Sequence, residues 1–503
     1  MDIIVMHELR KTVDEKFVGF RPESGSVKPV HIAMGAFKAI LGECFSADGI
    51  MRLSYVISAN GIIPIGNEPE SVKQMLDDSK AFDSSEISDR QLAEFRSLLQ
   101  KLISVDNGVF PAKGKKMNEG MISYTAGSNF FVTPKGIHED AGEFIGGLIK
   151  SYCPILSDYI NAILRNPNDA ISLVFEPVLY QGESKPVTDV LKHQKLAVFE
   201  KPNANLRTFL ESIKESGVCL KTQLENHSNK LTQLRLFVLF CIYELIRYLS
   251  LLESFYDDGE FRPILLDFTS GKKSSVSQTS GLCYSQLHKS ISRFYAWGFA
   301  QELNRVGYGR DELIKAKVPV YDKLKKDENG KDKPMNARIY EELKSMWDIV
   351  KSNIKSMSDK NARLEVGMAI NDMIAIEATS HPVNYMRKLG TEVGLLYPPT
   401  NFHTDKRFLL ADDILESLLR CCVMPGEIIT SQELRNRLYK RLGIVVGGTE
   451  EDAMRLKNIG SIVYADTDAL ANNFELFADA LQRMNFAEQL PDGIMQIRFG
   501  GNK

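Results

Sequence analysis

Paired cysteines, long apolar runs and an excess of charge of either sign are all missing from this chain. Its 503 residues hold seven cysteines (Cys44, Cys153, Cys219, Cys241, Cys283, Cys421 and Cys422), and no two are spaced C-x-x-C. That spacing excludes the local pattern of a zinc ribbon or redox pair and fits a reducing compartment. Eight histidines never stand four residues apart and no H-E-x-x-H occurs, so no helical zinc site is legible. Nucleophile elbow, kinase motif set and strand-borne G-x-G-x-x-G are absent as well. With 62 basic against 65 acidic residues the net charge is -3, which excludes a coat of positive charge wrapped over nucleic acid. The most membrane-like stretch, LRLFVLFCIYELIRYLSLL from Leu234 to Leu252, is broken by Arg235, Glu244 and Arg247. Its uncharged runs fall far below the roughly 18 residues of a spanning helix. The opening MDIIVMHELRKTVDEKF lacks the basic-then-apolar build of a signal peptide. A cytoplasmic protein without membrane segments, catalytic motif, cofactor or metal is the expectation.

What is present is the composition of a packed globular chain, 44% hydrophobic and 25% charged. Its length exceeds what one core usually organises. Helical periodicity dominates, and the expected class is mostly α with minor β (α+β), multi-domain, a helical body followed by a C-terminal winged-helix-like domain. The expected parts are an α+β domain over 1–150, a helical domain over 151–335 around the buried Leu234–Leu252 helix, a helical connector over 336–400 and the winged-helix-like domain over 401–503. Asn60-Gly61 between strand-like runs predicts a hairpin over 50–65. The charged stretch VYDKLKKDENGKDKPMNA predicts an exposed hairpin or linker, and Pro382 to Leu389 predicts a short helix stopped at Gly390.

The last hundred residues carry the clearest organisation. Apolar Ile414, Leu415, Leu418 and Leu419 predict a helix over 412–422, ended by Pro425-Gly426. Thr430-Ser431-Gln432-Glu433 has the form of a capping box, opening a second helix through Leu434, Leu438 and Leu442 to Gly443. An apolar link, IVVGG, leads to a third helix at TEEDAMRLKN, and a fourth spans roughly 468–484. Pro491-Asp492-Gly493 joins two short strands. Helices followed by a terminal hairpin is the order of a winged helix, in which one helix enters the major groove and the hairpin touches the backbone.

On the second helix Arg435, Arg437, Lys440 and Arg441 are crowded together, and their spacing places much of the charge away from the leucines. They are the first candidates for phosphate contact. Against them stands the balance of residues 401–503, 12 Lys/Arg to 15 Asp/Glu, which favours protein docking or a merely solvated face. Lys272 and Lys273, in a Gly/Ser loop after a predicted strand, are further nucleic-acid candidates. They do not complete a nucleotide loop, because Leu266 stands where the first glycine belongs and Lys273 where Ser or Thr belongs. Glu183-Ser184-Lys185 has the E-x-K form of metal-dependent nucleases. Gly182 and Pro186 on either side predict a turn rather than the rigid strand such a site needs.

The stretch KRFLLADDILESLLRCCVMPGEIITSQELRNRLYKRLGIVVGG, residues 406–448, resembles C-terminal modules of large accessory proteins from bacterial anti-phage defence operons, including those linked to DNA modification. The resemblance implies an accessory subunit that bridges helicases, ATPases or nucleases to DNA or to one another, and carries over no catalytic residue. The expected function is therefore a non-enzymatic DNA-associated or scaffold subunit, with other protein subunits as partners and double-stranded DNA as a further one. A pure protein adaptor and a metal-dependent nuclease with a spatially assembled site are the alternatives.

Overall fold

The computed structural model describes residues 3–23, 27–45, 140–166, 184–186, 191–256, 261–269, 274–321, 325–326, 332–333, 337–377, 381–399, 406–457, 465–491 and 495–499, with Ser88, Arg90, Gln91 and Glu94 besides. The hairpin expected over 50–65 lies outside these residues, as do Glu183, Lys272 and Lys273. The described chain is an α-rich α+β fold with small sheets.

In chain order the helices are α1 (Met6–Val13), α2 (Pro29–Leu41), α3 (Asp140–Tyr152), α4 (Pro154–Leu164), the single turn α5 (Ala197–Glu200), α6 (Ala204–Leu224) and α7 (Lys230–Tyr256). Then come α8 (Ser275–Arg305), α9 (Arg310–Lys315), α10 (Ala337–Ile354), α11 (Asp359–Glu377) and α12 (Pro382–Glu392). The last hundred residues add α13 (Asp412–Arg420), α14 (Ser431–Arg437), α15 (Glu450–Lys457) and α16 (Thr467–Arg483). The strands are short: β1 (Glu43–Phe45) pairs with β2 (Ser184–Pro186), β3 (Ile264–Leu265) with β9 (Ile444–Val445), β4 (Lys325–Lys326) with β5 (Asp332–Lys333), and β6 (Leu396–Tyr397) with β7 (Arg407–Phe408). A three-stranded antiparallel sheet has the order β10 (Ala487–Gln489), β11 (Met495–Arg498), β8 (Ile428–Thr430).

The near-membrane stretch is the axis of the molecule. α7 is apolar nearly all round, as suits a helix that neighbours cover on all sides, and α2, α3, α6, α8, α12 and α13 pack around it. Its tyrosine hydroxyls satisfy carbonyls at helix ends: Tyr256 and Tyr248 donate to Phe17 O (2.8 Å) and Val18 O (3.1 Å), and Tyr243 to Leu442 O (2.6 Å). Each receiving segment is a π turn, 14–18 after α1 and 438–442 after α14, closed by a left-handed glycine, Gly19 or Gly443.

The final hundred residues share the body's core. A single cluster of buried apolar side chains runs from Ile4 to Phe499. The IVVGG segment is not a bare link: Ile444–Val445 forms a parallel pair with Ile264–Leu265. Fully buried Asn473 of α16 locks that pair, donating to Leu266 O and Val446 O (2.8 Å each) and accepting from Phe268 N (2.8 Å). Three further expectations meet the structure here. Ser184–Pro186 is a strand against Glu43–Phe45 rather than a turn, because a distant partner supplies the ladder. α12 continues through Gly390 to Glu392, and the left-handed stop is Gly394 (φ 74°). Gly390 packs closely against Leu396 and needs no unusual backbone. Within the charged stretch before α10, expected as a hairpin or linker, β4 and β5 pair antiparallel; residues 327–331 between them lie outside the described residues.

Candidate interaction face of the C-terminal segment

The four cations of 435–441 do not share one fate. Thr430 caps α14, its hydroxyl accepting from Glu433 N at 3.2 Å, while the Glu433 side chain turns to Arg437 instead of closing a reciprocal box. Leu434, Leu438 and Leu442 are buried as expected. The guanidiniums, however, turn toward protein, each less than a fifth exposed. The spacing of four between Arg437 and Arg441 places both over the end of α13, where helix carbonyls lack partners and the dipole favours cations. Arg437 donates to Cys422 O (2.9 Å) and grips Glu427 through both nitrogens (2.8 and 2.6 Å). Arg441 donates to Cys421 O (3.0 Å) and Cys422 O (3.2 Å) and faces Glu215 of α6 at 3.4 Å. The hydrogen bonds from Arg437 hold the Glu427 carboxyl down at about 2.

Arg435 joins three elements. It donates to Gly447 O at 3.3 Å, lies 4.6 Å over the Phe474 ring of α16 and faces Asp452 of α15 at 3.9 Å. Arg455 approaches the same Asp452 at 3.0 Å and stacks 4.1 Å over Tyr439. Burial nonetheless raises the Asp452 carboxyl above its ordinary value. Lys440 is the exposed member of the set. The expectation that this charge points away from the packed side is thus corrected for the three arginines: long side chains reach back past the leucines to carbonyls and carboxylates.

Beneath this turn lies a second charged joint. Arg247 of α7 donates to both oxygens of Glu244 (3.0 Å each), to Arg441 O (2.6 Å) and to Ser212. Burial pushes the fully buried Glu244 carboxyl up to about 7, against the pull of Arg247. On the Arg247 side a cavity of 20 Å³, lined among others by Tyr243, Arg247, Ser250, Phe408 and Leu442, has room for about one water. Asp14, the other carboxyl that burial raises to about 7, accepts from Tyr295 (2.7 Å) and faces Arg10 at 3.6 Å. Perturbed carboxyls often mark active sites, but these two are sealed among packed helices and serve as joints.

The outer face of the segment has the opposite character. α16 exposes Asp468, Asn472, Glu475, Asp479 and Arg483, spaced as one helical stripe, with exposed Asp466 at its cap. Composition had registered the acid excess without placing it on this helix. At the other candidate loop, Asp267 is fully buried, accepts from the Thr269 and Ser277 hydroxyls and forms an ion pair with Arg407 at 2.7 Å; Ser274 caps α8 through Ser277 N at 3.0 Å. No group of His, Cys, Asp and Glu among the described residues is arranged to hold a metal ion. None of their helices is long and apolar enough to cross a membrane.

Comparison with known proteins adds no relative: no family model, curated protein or solved structure matches the chain.

Proposed function

We propose that this chain is a non-enzymatic scaffold subunit of a multi-protein bacterial system, and that its C-terminal segment docks protein rather than reading DNA. The connectivity α13–β8–α14, then α16–β10–β11, with β11 central between β10 and β8, supports a winged-helix-like reading of that segment. In such a module the last helix before the hairpin is the one available to enter the major groove. Here that helix is α16, and the observation that carries the proposal is its exposed stripe of Asp468, Glu475 and Asp479. Phosphate would meet like charge there, while three of the four neighbouring cations are already engaged within the protein. The resemblance of residues 406–448 to accessory proteins of anti-phage defence operons supports a partner complex of that kind, in the cytoplasm.

Fluorescence anisotropy with a labelled DNA duplex over a range of salt tests this reading. The expected result is no salt-dependent binding near physiological ionic strength, with Lys440→Ala changing nothing. Tight binding with a steep salt slope that Lys440→Ala reduces would overturn it in favour of DNA association.

A further inference from the structure

Four of the eight large apolar side chains exposed among the described residues lie on the hairpin α10–α11: Ile349 (60%), Leu364 (41%), Met368 (42%) and Ile376 (38%). On α11 the positions 364, 368, 372 and 376 follow one another at i, i+4, which lines them along one face. The opposite face is committed to α8, so closely that a Cβ on Gly367 would stand 2.2 Å from Ala296 O. Asn353 of α10 donates to Glu365 Oε1 of α11 at 3.2 Å and fixes the register of the hairpin. One turn further along, antiparallel geometry brings Ile349 level with Met368, and Met346 level with Asp372. The apolar ribbon therefore crosses both helices.

Its rim is acidic on balance. Asp372 stands within the α11 stripe with Glu365 beside it, and Glu341, Glu342 and Asp348 lie along the α10 side. Against them stand Lys360, one turn before Leu364, and Arg338, one turn before Glu342. Helical spacing puts Lys344, Lys351 and Lys355 on the far flank of α10, where Lys351 lies 5.8 Å over the Trp347 ring. A second copy of this chain would set one acidic rim against another, and an anionic lipid surface would meet the same repulsion. A helix with a leucine-type stripe bordered by Lys or Arg matches the face in both shape and sign.

We infer that the α10–α11 face is a docking groove for a cationic amphipathic helix of a partner protein. This deepens the scaffold reading, on which it rests, by giving one partner a chemistry. It concerns a face separate from α16, so each can fail alone.

The test titrates the full-length chain into a fluorescein-labelled peptide of about 18 residues, long enough to form a helix, with Leu at i, i+3, i+4, i+7 and Lys beside the stripe. The control has the same composition scrambled so that the leucines share no face. The striped peptide should bind and the scrambled one should not. Met368→Glu should weaken binding roughly tenfold or more. The charge-reversed double variant Glu342→Lys/Asp372→Lys should weaken it as well, and should gain affinity for a Glu-bordered version of the stripe. All three positions are exposed, and matching thermal melts verify that the variants fold. Equal binding of striped and scrambled peptides, or indifference to both variants, overturns the proposal. So does a dimer in sedimentation equilibrium that Met368→Glu splits, because the face would then belong to a second copy. Failure here leaves docking through the C-terminal segment standing, since a partner that binds through α16 would be unaffected by these substitutions.

Discussion

The turn that carries Arg435, Arg437, Lys440 and Arg441 and the hairpin α10–α11 treat their side chains in opposite ways. The turn is dense in charge, yet its three arginines reach inward to Gly447, Cys421 and Cys422 carbonyls and to Glu427. The hairpin has the pattern of an ordinary amphipathic pair, yet it turns Ile349, Leu364 and Met368 to the outside. Charge at the joint holds the last hundred residues to the body, and apolar surface on the hairpin is left without a cover. A helix can thus display a basic sequence and offer little basic surface, because guanidinium groups satisfy carbonyls and carboxylates wherever these come within reach.

The strongest way to break this contrast is at the joint. Glu244→Ala leaves Arg247 buried without its carboxylate and should cost about 3–5 kcal/mol in urea unfolding. The double variant Glu244→Met/Arg247→Met should cost clearly less, and an equal loss would show that packing rather than charge holds the joint. At the hairpin, Gly367→Ala drives a methyl into Ala296 O and should cost about 1–3 kcal/mol; an unchanged melting temperature would mean that α11 is not seated on α8 as described. Arg437→Ala removes a bidentate pair and a helix-end contact, for a loss of about 1–2 kcal/mol. Lys440→Ala beside it should be neutral, and equal effects at 437 and 440 would contradict the inward assignment.

Dependence on pH sharpens the joint further. Glu427 is depressed to about 2 from 4.5, so its contribution is complete above 4.5 and is lost as pH falls through about 2. Arg437→Ala should flatten that acid limb. Glu244 is raised from 4.5 to about 7, so folding takes up a proton there; its contribution is complete below 4.5 and is lost as pH climbs through about 7. Asp14, raised from 3.8 to about 7, acts in the same direction. Burial holds His193 and His381 down at about 4 and about 3, so their contributions rise over the same range, and the readout is the difference between chains: relative to the parent, Glu244→Gln should gain stability as pH rises between about 4 and 7. A small effect belongs to the exposed ribbon as well: Met368→Glu should change stability by no more than about 0.5 kcal/mol, and a larger loss would show that the side chain is covered.

Local signals proved readable where a segment's neighbours in sequence decide its structure. The apolar-all-round run from Leu234 to Leu252 does lie within a buried central helix, Thr430 does cap α14, and α16 falls within a residue of its expected ends. The strands flanking Pro491 pair as expected. Each of these follows from periodicity, a capping hydroxyl or a turn residue, all of which act over a few residues.

What only the tertiary structure decided are the pairings over long separations. Ile444–Val445 is a strand because Ile264–Leu265 lies beside it, Ile428–Thr430 because Arg498 to Gln496 completes its ladder, and Ser184–Pro186 because of Glu43–Phe45. A strand of two or three residues has no periodicity of its own to announce such a partner. The direction of the arginines was hidden for the same reason. Sequence established that Arg435, Arg437 and Arg441 crowd one helix; whether they face solvent or the end of α13 depends on where α13 packs, and that is a property of the whole fold.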